Sequence, residues 1–246
     1  MPAATAPLTL ADGVSERSVL LCSLLPMAAP AMVREDGTIW LGLQVQHGYG
    51  DPSRDLAAVL EKALDSEPGA MVGLTEGPGE GRRLQDMVAG SALDVTVHDG
   101  FDFWVADIDD PDGSVAASLE TANASANPTV RLESVESAYW TNVGTKEHLR
   151  WVMPHDEERL LSALARLHVA GKDVIADEAR LVGMFRAHGR LVPVWDLPVG
   201  TGAGVLEGPA ARFAKDLEDV LADDAPLTVE ERAARSGLAN RQLTIR

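Results

Sequence analysis

Two periodicities alternate along this chain of 246 residues. Short runs with every second position apolar are joined by turn residues, and each pair of runs is followed by a stretch with apolar residues three and four apart. The first period is that of a strand with one covered face, the second that of an amphipathic helix. In "APAMVREDGTIWLGLQV" the Asp36-Gly37 step is a hairpin signal, and Ile39, Leu41, Leu43 and Val45 fall on one face. The loop "QHGYGDPSR" follows. Leu56, Val59, Leu60, Ala63 and Leu64 then share one side of a helix, with Asp51 or Ser53 to cap it and Pro52 in its first turn.

The arrangement recurs three times. "LDVTVHDGFDFWVAD" predicts a second hairpin turning at Asp99-Gly100, followed by a weaker helix over about 114–126 built on Val115, Leu119, Ala122 and Ala126. In the third unit Leu149, Trp151 and Met153 alternate with His148, Arg150 and Val152, and Leu160, Leu164 and Leu167 form a stripe in a helix that starts acidic and stops at Gly171. The fourth pairs "FRAHG" with "RLVPVWDLP" and continues into a helix on Phe213, Leu217, Val220 and Leu221. Pro193, which has no amide hydrogen, predicts an edge strand there. Thr228 and Glu231 make a capping box for a last short helix ending at Gly237.

Four such units predict an α+β fold of mostly antiparallel sheet built from repeated β-hairpin-helix (ββα) units, with helices on one face and internal pseudo-symmetry. The length fits a single α+β domain over 1–246, with a soft internal boundary near 127–128. "SEPGAMVGLTEGPGEGRR", rich in Gly, Glu and Pro, predicts a mobile loop over about 66–83.

Composition narrows the function. Hydrophobic residues at 46% and charged residues at 24% are globular values, but 38 Asp and Glu against 21 Lys and Arg leave a net charge of −17. Such a field repels phosphate backbones, which disfavours nucleic acid as a partner of this domain; the Arg82-Arg83 pair and the tail from Arg232 to Arg246 are the only basic candidates. Cys22, the one cysteine, sits in the apolar run "VLLCSLL", where a buried and inert thiol is expected. No stretch reaches a membrane span and the start lacks the blocks of a signal peptide, so the expected location is the cytoplasm, with no membrane partner.

Complete catalytic motifs are missing. None of the six histidines forms HExxH, and there is no cysteine pair, so no metal is expected; "HDEE" at His155 reads as a helix start. "EGPGEGRR" lacks the Gly-Lys-Ser/Thr ending of a P-loop, no dinucleotide fingerprint is framed by strand and helix, and GxSxG is absent, so no cofactor is expected either. Two turns carry a histidine. His98 with Asp99, and His188 with Arg186 upstream and Asp196 downstream, are the candidate acid, base and anion-binding groups, although Asp, His and Gly are also what tight turns tolerate. The five tryptophans all fall in predicted strands, as core or as the wall of a groove.

Several long segments are familiar. "GRRLQD", "VHDGFDFW", "EHLRWVMPHDEERLLSALARLH", "FRAHGRLVPVWDLP" and "DAPLTVEERAARSGLANRQLTIR" resemble an uncharacterised actinobacterial family, a domain of unknown function, over nearly the whole chain. The resemblance brings no catalytic residues. It does imply company: members often carry an N-terminal SEC-C-type zinc knuckle with a Cys-Pro-Cys-Gly-Ser-Gly core, which these residues do not contain. Two readings follow. One is a cytoplasmic protein-binding or adaptor domain, its protein partner associated with the ribosome or the translocase through that separate module. The other is an enzyme using a His/Asp/Arg pocket formed by the hairpin turns.

Overall fold

The computed structural model describes residues 1–44, 48–90, 92–106, 108–110, 112–187, 189–241 and 243. The chain is mixed α+β, with two mostly antiparallel sheets and five α-helices among the described residues. It divides into two compact units, Met1–Ala126 and Asn127–Arg246, each with its own sheet.

The first unit contains β1 (Ala3–Leu8), β2 (Val19–Leu24), β3 (Ala31–Val33), β4 (Ile39–Gly42), α1 (Pro52–Leu64), β5 (Met71–Val72), β6 (Thr96–Val97) and α2 (Ser114–Ser125). The strands lie in the order β5-β3-β4-β2-β1-β6, and β2 with β4 is the one parallel pair of that order. The β3-β4 turn is as the sequence predicts. Gly37 takes φ of 84°, which a side chain would strain, and Asp36 accepts from Thr38 N at 2.8 Å.

Strand alternation sends this sheet's side chains to two covered faces. Val19, Leu21, Ala31, Val33, Ile39 and Leu41 meet Ala57, Val59 and Leu60 of α1. Ile39, Leu41 and Leu60 have no exposed surface, each contributing roughly 1.5–3 kcal/mol of burial. Asp51 caps α1, accepting from Arg54 N, and Pro52 opens it. At its other end Arg17 Nη1 donates to the carbonyls of Ala63 and Leu64 in the last turn and of Ser66 just beyond it. On the opposite face Leu20, Cys22, Leu24 and Trp40 meet Phe101, Trp104 and Ala122. The expectation of helices on one face therefore fails here, because a sheet apolar on both sides needs two covers.

The second predicted hairpin does not form. β6 pairs with β1, and Asp102–Trp104 is a single 3₁₀ turn beyond Asp99-Gly100. The alternation in "FDFWV" is used instead to drop Phe101 and Trp104 into the second-face cluster, where Phe101 N donates to Asn123 Oδ1 at 2.8 Å. The segment over 66–83, expected to be mobile, carries β5 and three carbonyls that accept from Arg54.

Cys22 is 1% exposed, and burial, opposed by the nearby Arg34 charge, pushes its thiol up to about 12. Iodoacetamide at mildly alkaline pH should leave the folded protein unlabelled and label it fully in denaturant, which intact-mass measurement reads directly. Fast labelling of the folded chain would contradict this burial.

The second unit contains β7 (Thr129–Arg131), β8 (Ala138–Asn142), β9 (Glu147–Trp151), α3 (Glu157–Val169), β10 (Arg180–Ala187), β11 (Arg190–Leu197), α4 (Glu207–Leu221) and α5 (Val229–Ala239). Its sheet, β10-β11-β9-β8-β7, is antiparallel throughout. One face carries Leu149, Trp151, Met153 and Trp195, packed with Leu160 and Leu164 of α3, Phe213 and Leu217 of α4 and Leu238 of α5. Trp195 and Phe213 meet edge to face at 5.3 Å, and the Trp195 indole donates to Asp173 O at 2.8 Å. The Asp156 cap, the Thr228–Glu231 capping box and the turn at Gly171 are where the sequence puts them. α5, however, runs past Gly237 to Ala239, because Leu238, 1% exposed, anchors its final turn in the core.

Pro193 is not on an edge. β11 lies between β10 and β9, and the missing donor is accommodated by a break in the ladder. β11 pairs with β9 from Val194 to Leu197 and again at Leu191 with Met153, and Pro193 sits between these. The edge is β10 instead, whose Met184 exchanges hydrogen bonds with Arg241 O at 3.0 Å and Leu243 N at 2.9 Å. A Cβ on neighbouring Gly183 would lie 2.5 Å from Arg241 O, so glycine there lets the C-terminal segment close the edge.

Candidate functional site

The residues singled out as catalytic are spread over separate local arrangements. His98, half-buried, is hydrogen-bonded through Nε2 to Thr5 Oγ1 at 2.9 Å and stacks on Phe103 with ring centroids 4.3 Å apart; its neighbour Asp99 is exposed. Both belong to the first unit. Arg186 and Asp196 belong to the second, at opposite ends of the β10-β11 hairpin: Arg186 faces Leu191, and Asp196 faces Arg180. Five strand steps separate the two registers on β11, roughly 17 Å along the hairpin. His188 lies outside the described residues.

Arg186 and Asp196 each have a structural partner. Arg186 Nε donates to Glu157 Oε2 at 2.8 Å, and Arg186 Nη2 pairs with Glu157 Oε1. That fork holds the Glu157 carboxyl below the usual carboxylate range. Lys146 Nζ donates to Asp196 Oδ2 at 2.7 Å, and His148 Nδ1 lies 2.9 Å from Asp196 Oδ1, near enough for an ion pair but off the angle of a good hydrogen bond.

Two of the larger concavities are lined by polar groups already in use. In the second unit, a cleft of about 710 Å3 is lined by α3, α5 and the segment joining α4 to α5. Its arginines bind that segment: Arg166 reaches Asp223 O at 2.6 Å, Arg159 reaches Leu221 O at 2.9 Å, and Arg232 donates to Leu227 O. In the first unit, a cleft of about 690 Å3 lies where Arg54 gathers Pro78 O, Gly79 O and Arg82 O, and where Arg83 pairs with Asp51 at 2.6 Å. Asp55 at its base is 1% exposed; Oδ2 accepts from Tyr49 N at 2.9 Å and Oδ1 has no partner. The Arg82-Arg83 pair, a basic candidate by sequence, is thus tied to Glu61 and Asp51.

A third concavity differs in chemistry. It is an apolar groove of about 390 Å3 on the second face of the first unit's sheet. Met32 and Met71 are direct cross-strand partners on β3 and β5 and form one side with Met27 and Ala29. Trp104, Val105 and Ile108 from the turn after β6, and Val115 and Leu119 from α2, form the other. Met71 is 64% exposed and Ile108 40%, so the groove is open apolar surface, and α2 buries only Ala122 fully.

The floor is rigid. Trp104 meets Trp40 edge to face at 5.5 Å, and Arg34 sits 4.5 Å from the Trp40 ring centre while donating to Trp104 O at 3.0 Å. The His98-Phe103 stack joins this cluster from behind, since Phe103 is 6.1 Å from Trp40. His98 thus braces an aromatic wall. Sequence reasoning missed the groove because its residues come from β3, β5, a turn and α2, with no shared period. The available signal was the pair of methionines at Met27, before β3, and Met32, within it.

Thioether side chains give such a surface an adaptable, polarisable lining that suits apolar anchors of varied shape. Among the described residues no group of three or more His, Cys, Asp or Glu could hold a metal ion, and no helix is long and apolar enough to cross a membrane. No curated protein and no solved structure matches this chain. One family model does, over residues 1–246, and on that match the chain belongs to a family of unknown function, DUF5926.

Proposed function

We propose that this protein is a cytoplasmic binding module whose first unit takes an apolar segment of a partner protein in the methionine-lined groove. The observation that carries this reading is exposed apolar surface concentrated on one concave face, with Trp104 of its lining packed against Trp40. Delivery to the ribosome or translocase by a separate zinc-knuckle module belongs to the same reading and rests on the sequence resemblance alone. Internal duplication is its architectural counterpart. The successions β3-β4-α1, β8-β9-α3 and β10-β11-α4 support it, and the different strand orders of the two sheets weigh against it. The enzyme alternative has less to rest on, because Arg186, Asp196 and His98 are each engaged in structural contacts.

Gentle affinity purification of the wild-type chain beside a Met71→Ser/Ile108→Ser variant tests the proposal. Both side chains are exposed enough for the fold to tolerate the change. A stoichiometric protein captured by the wild type should be depleted roughly tenfold with the variant, the scale of removing two interface anchors. Equal recovery by both, or none by either, would sink the groove as the binding site.

A further inference from the structure

The charge of this protein is distributed unevenly. Of its 38 acidic residues 20 precede Asn127, against 6 of the 21 basic ones, so the first unit carries −14 and the second −3. Within the first unit the asymmetry sharpens. From Leu84 to Val130 there is neither Lys nor Arg, while nine Asp and Glu fall in that span. The same span supplies one wall of the groove, from Phe101 through Ala122. Asp102 and Asp109 flank the aromatic turn and Glu120 sits on α2, all three exposed. The basic side chain packed beside the groove, Arg34, is 6% exposed and lies over Trp40, so it presents little charge to solvent.

An apolar cleft in so acidic a unit selects its occupant twice. Its lining favours aliphatic or aromatic anchors, and the surrounding negative field favours cations beside them. We propose that the groove receives a basic amphipathic segment of a partner protein, with apolar residues on one face and Lys or Arg on the other. This rests on the binding-module reading and names the partner's chemistry. The acidic composition then has a place in recognition: the field steers a cationic segment to the groove, and the methionines accommodate its anchors.

Fluorescence anisotropy on the full-length chain, with three labelled helical model peptides, separates the possibilities. One peptide has Leu on one face and Lys on the other, the second replaces Lys by Gln, and the third replaces Leu by Ser. The Leu/Lys peptide should bind at least about tenfold more tightly than either control, and its affinity should fall roughly tenfold on raising salt to high concentration, as screening of exposed charges requires. The variant Asp102→Asn/Asp109→Asn, which neutralises two exposed charges beside lining residues of the groove, should lose about fivefold in affinity for Leu/Lys and nothing for Leu/Gln, the size expected of exposed charges. Equal, salt-independent binding of Leu/Lys and Leu/Gln would overturn the basic partner and leave the groove. Binding of the Lys/Ser peptide as tight as that of Leu/Lys would also overturn it, exposing an unselective acidic surface. If no peptide binds, or Met71→Ser/Ile108→Ser leaves Leu/Lys binding unchanged, the groove itself fails as a site.

Discussion

Replacing Glu147 by alanine should destabilise the protein by roughly 2–3 kcal/mol, because three donors in part-buried hydrogen bonds lose their one buried acceptor group. Glu147 is 2% exposed at the start of β9. Its Oε1 accepts from Gly200 N at 2.7 Å, and its Oε2 accepts from Gly202 N at 2.9 Å and from the Trp140 indole at 2.8 Å. The carboxylate therefore ties the segment after β11 to β9 and β8. Urea unfolding followed by tryptophan fluorescence would measure the change. A loss below about 0.5 kcal/mol would mean that water replaces the carboxylate at little cost.

The same group gives a pH dependence of known sign. Burial alone would raise the Glu147 carboxyl, but the amides of Gly202 and Gly200 and the Trp140 indole outweigh it and hold the group below the usual carboxylate range. A depressed carboxyl contributes stability that is present above its unfolded value and lost as pH falls through its folded one. The stability gap between wild type and Glu147→Gln should therefore be largest near about pH 6 and shrink toward about pH 3. A gap that widens on acidification would contradict the assignment.

Gly42→Ala should cost roughly 3 kcal/mol or more, measurable as a fall in denaturation midpoint and as faster amide exchange in β2, β4 and α1. A Cβ at Gly42 would stand 1.8 Å from Ala29 O and 2.9 Å from the Ala29 carbonyl carbon. The neighbour is backbone, and it is held there, because Gly42 N donates to Pro30 O at 2.9 Å. The clash can be relieved only by moving the 29–30 segment, and Ala29 lines the groove. Weakened binding of a groove ligand should accompany the loss of stability. An alanine variant as stable as the wild type would mean that this segment shifts freely.

Much of the local structure is legible in the residues themselves. Asp51 with Pro52, Asp156 with its acidic successors, and the Thr228–Glu231 box all start helices where they stand, because capping depends on hydrogen bonds within one turn. The Asp36-Gly37 and Gly189 turns are legible for the same reason: a positive φ is a local demand. Reasoning from single residues fails where a distant neighbour supplies what the local rule asks for. Gly237 does not stop α5 because Leu238 is buried, Pro193 is central because the ladder breaks around it, and "FDFWV" makes a turn because the second sheet face needed its rings.

The candidate site divides in the same way. His98 and Asp196 stood out because turns and polar residues look like chemistry in one dimension, yet one braces Phe103 and the other pairs with Lys146 and His148. Composition and spacing determined that this is an acidic α+β protein lacking the common catalytic and metal motifs, since charge, caps and periods are properties of short stretches or of the whole sum. Only the tertiary structure decided that Met32 faces Met71 across two strands and that Ile108 and Val115 stand opposite them, because a groove is assembled from segments whose separation in sequence exceeds any local period.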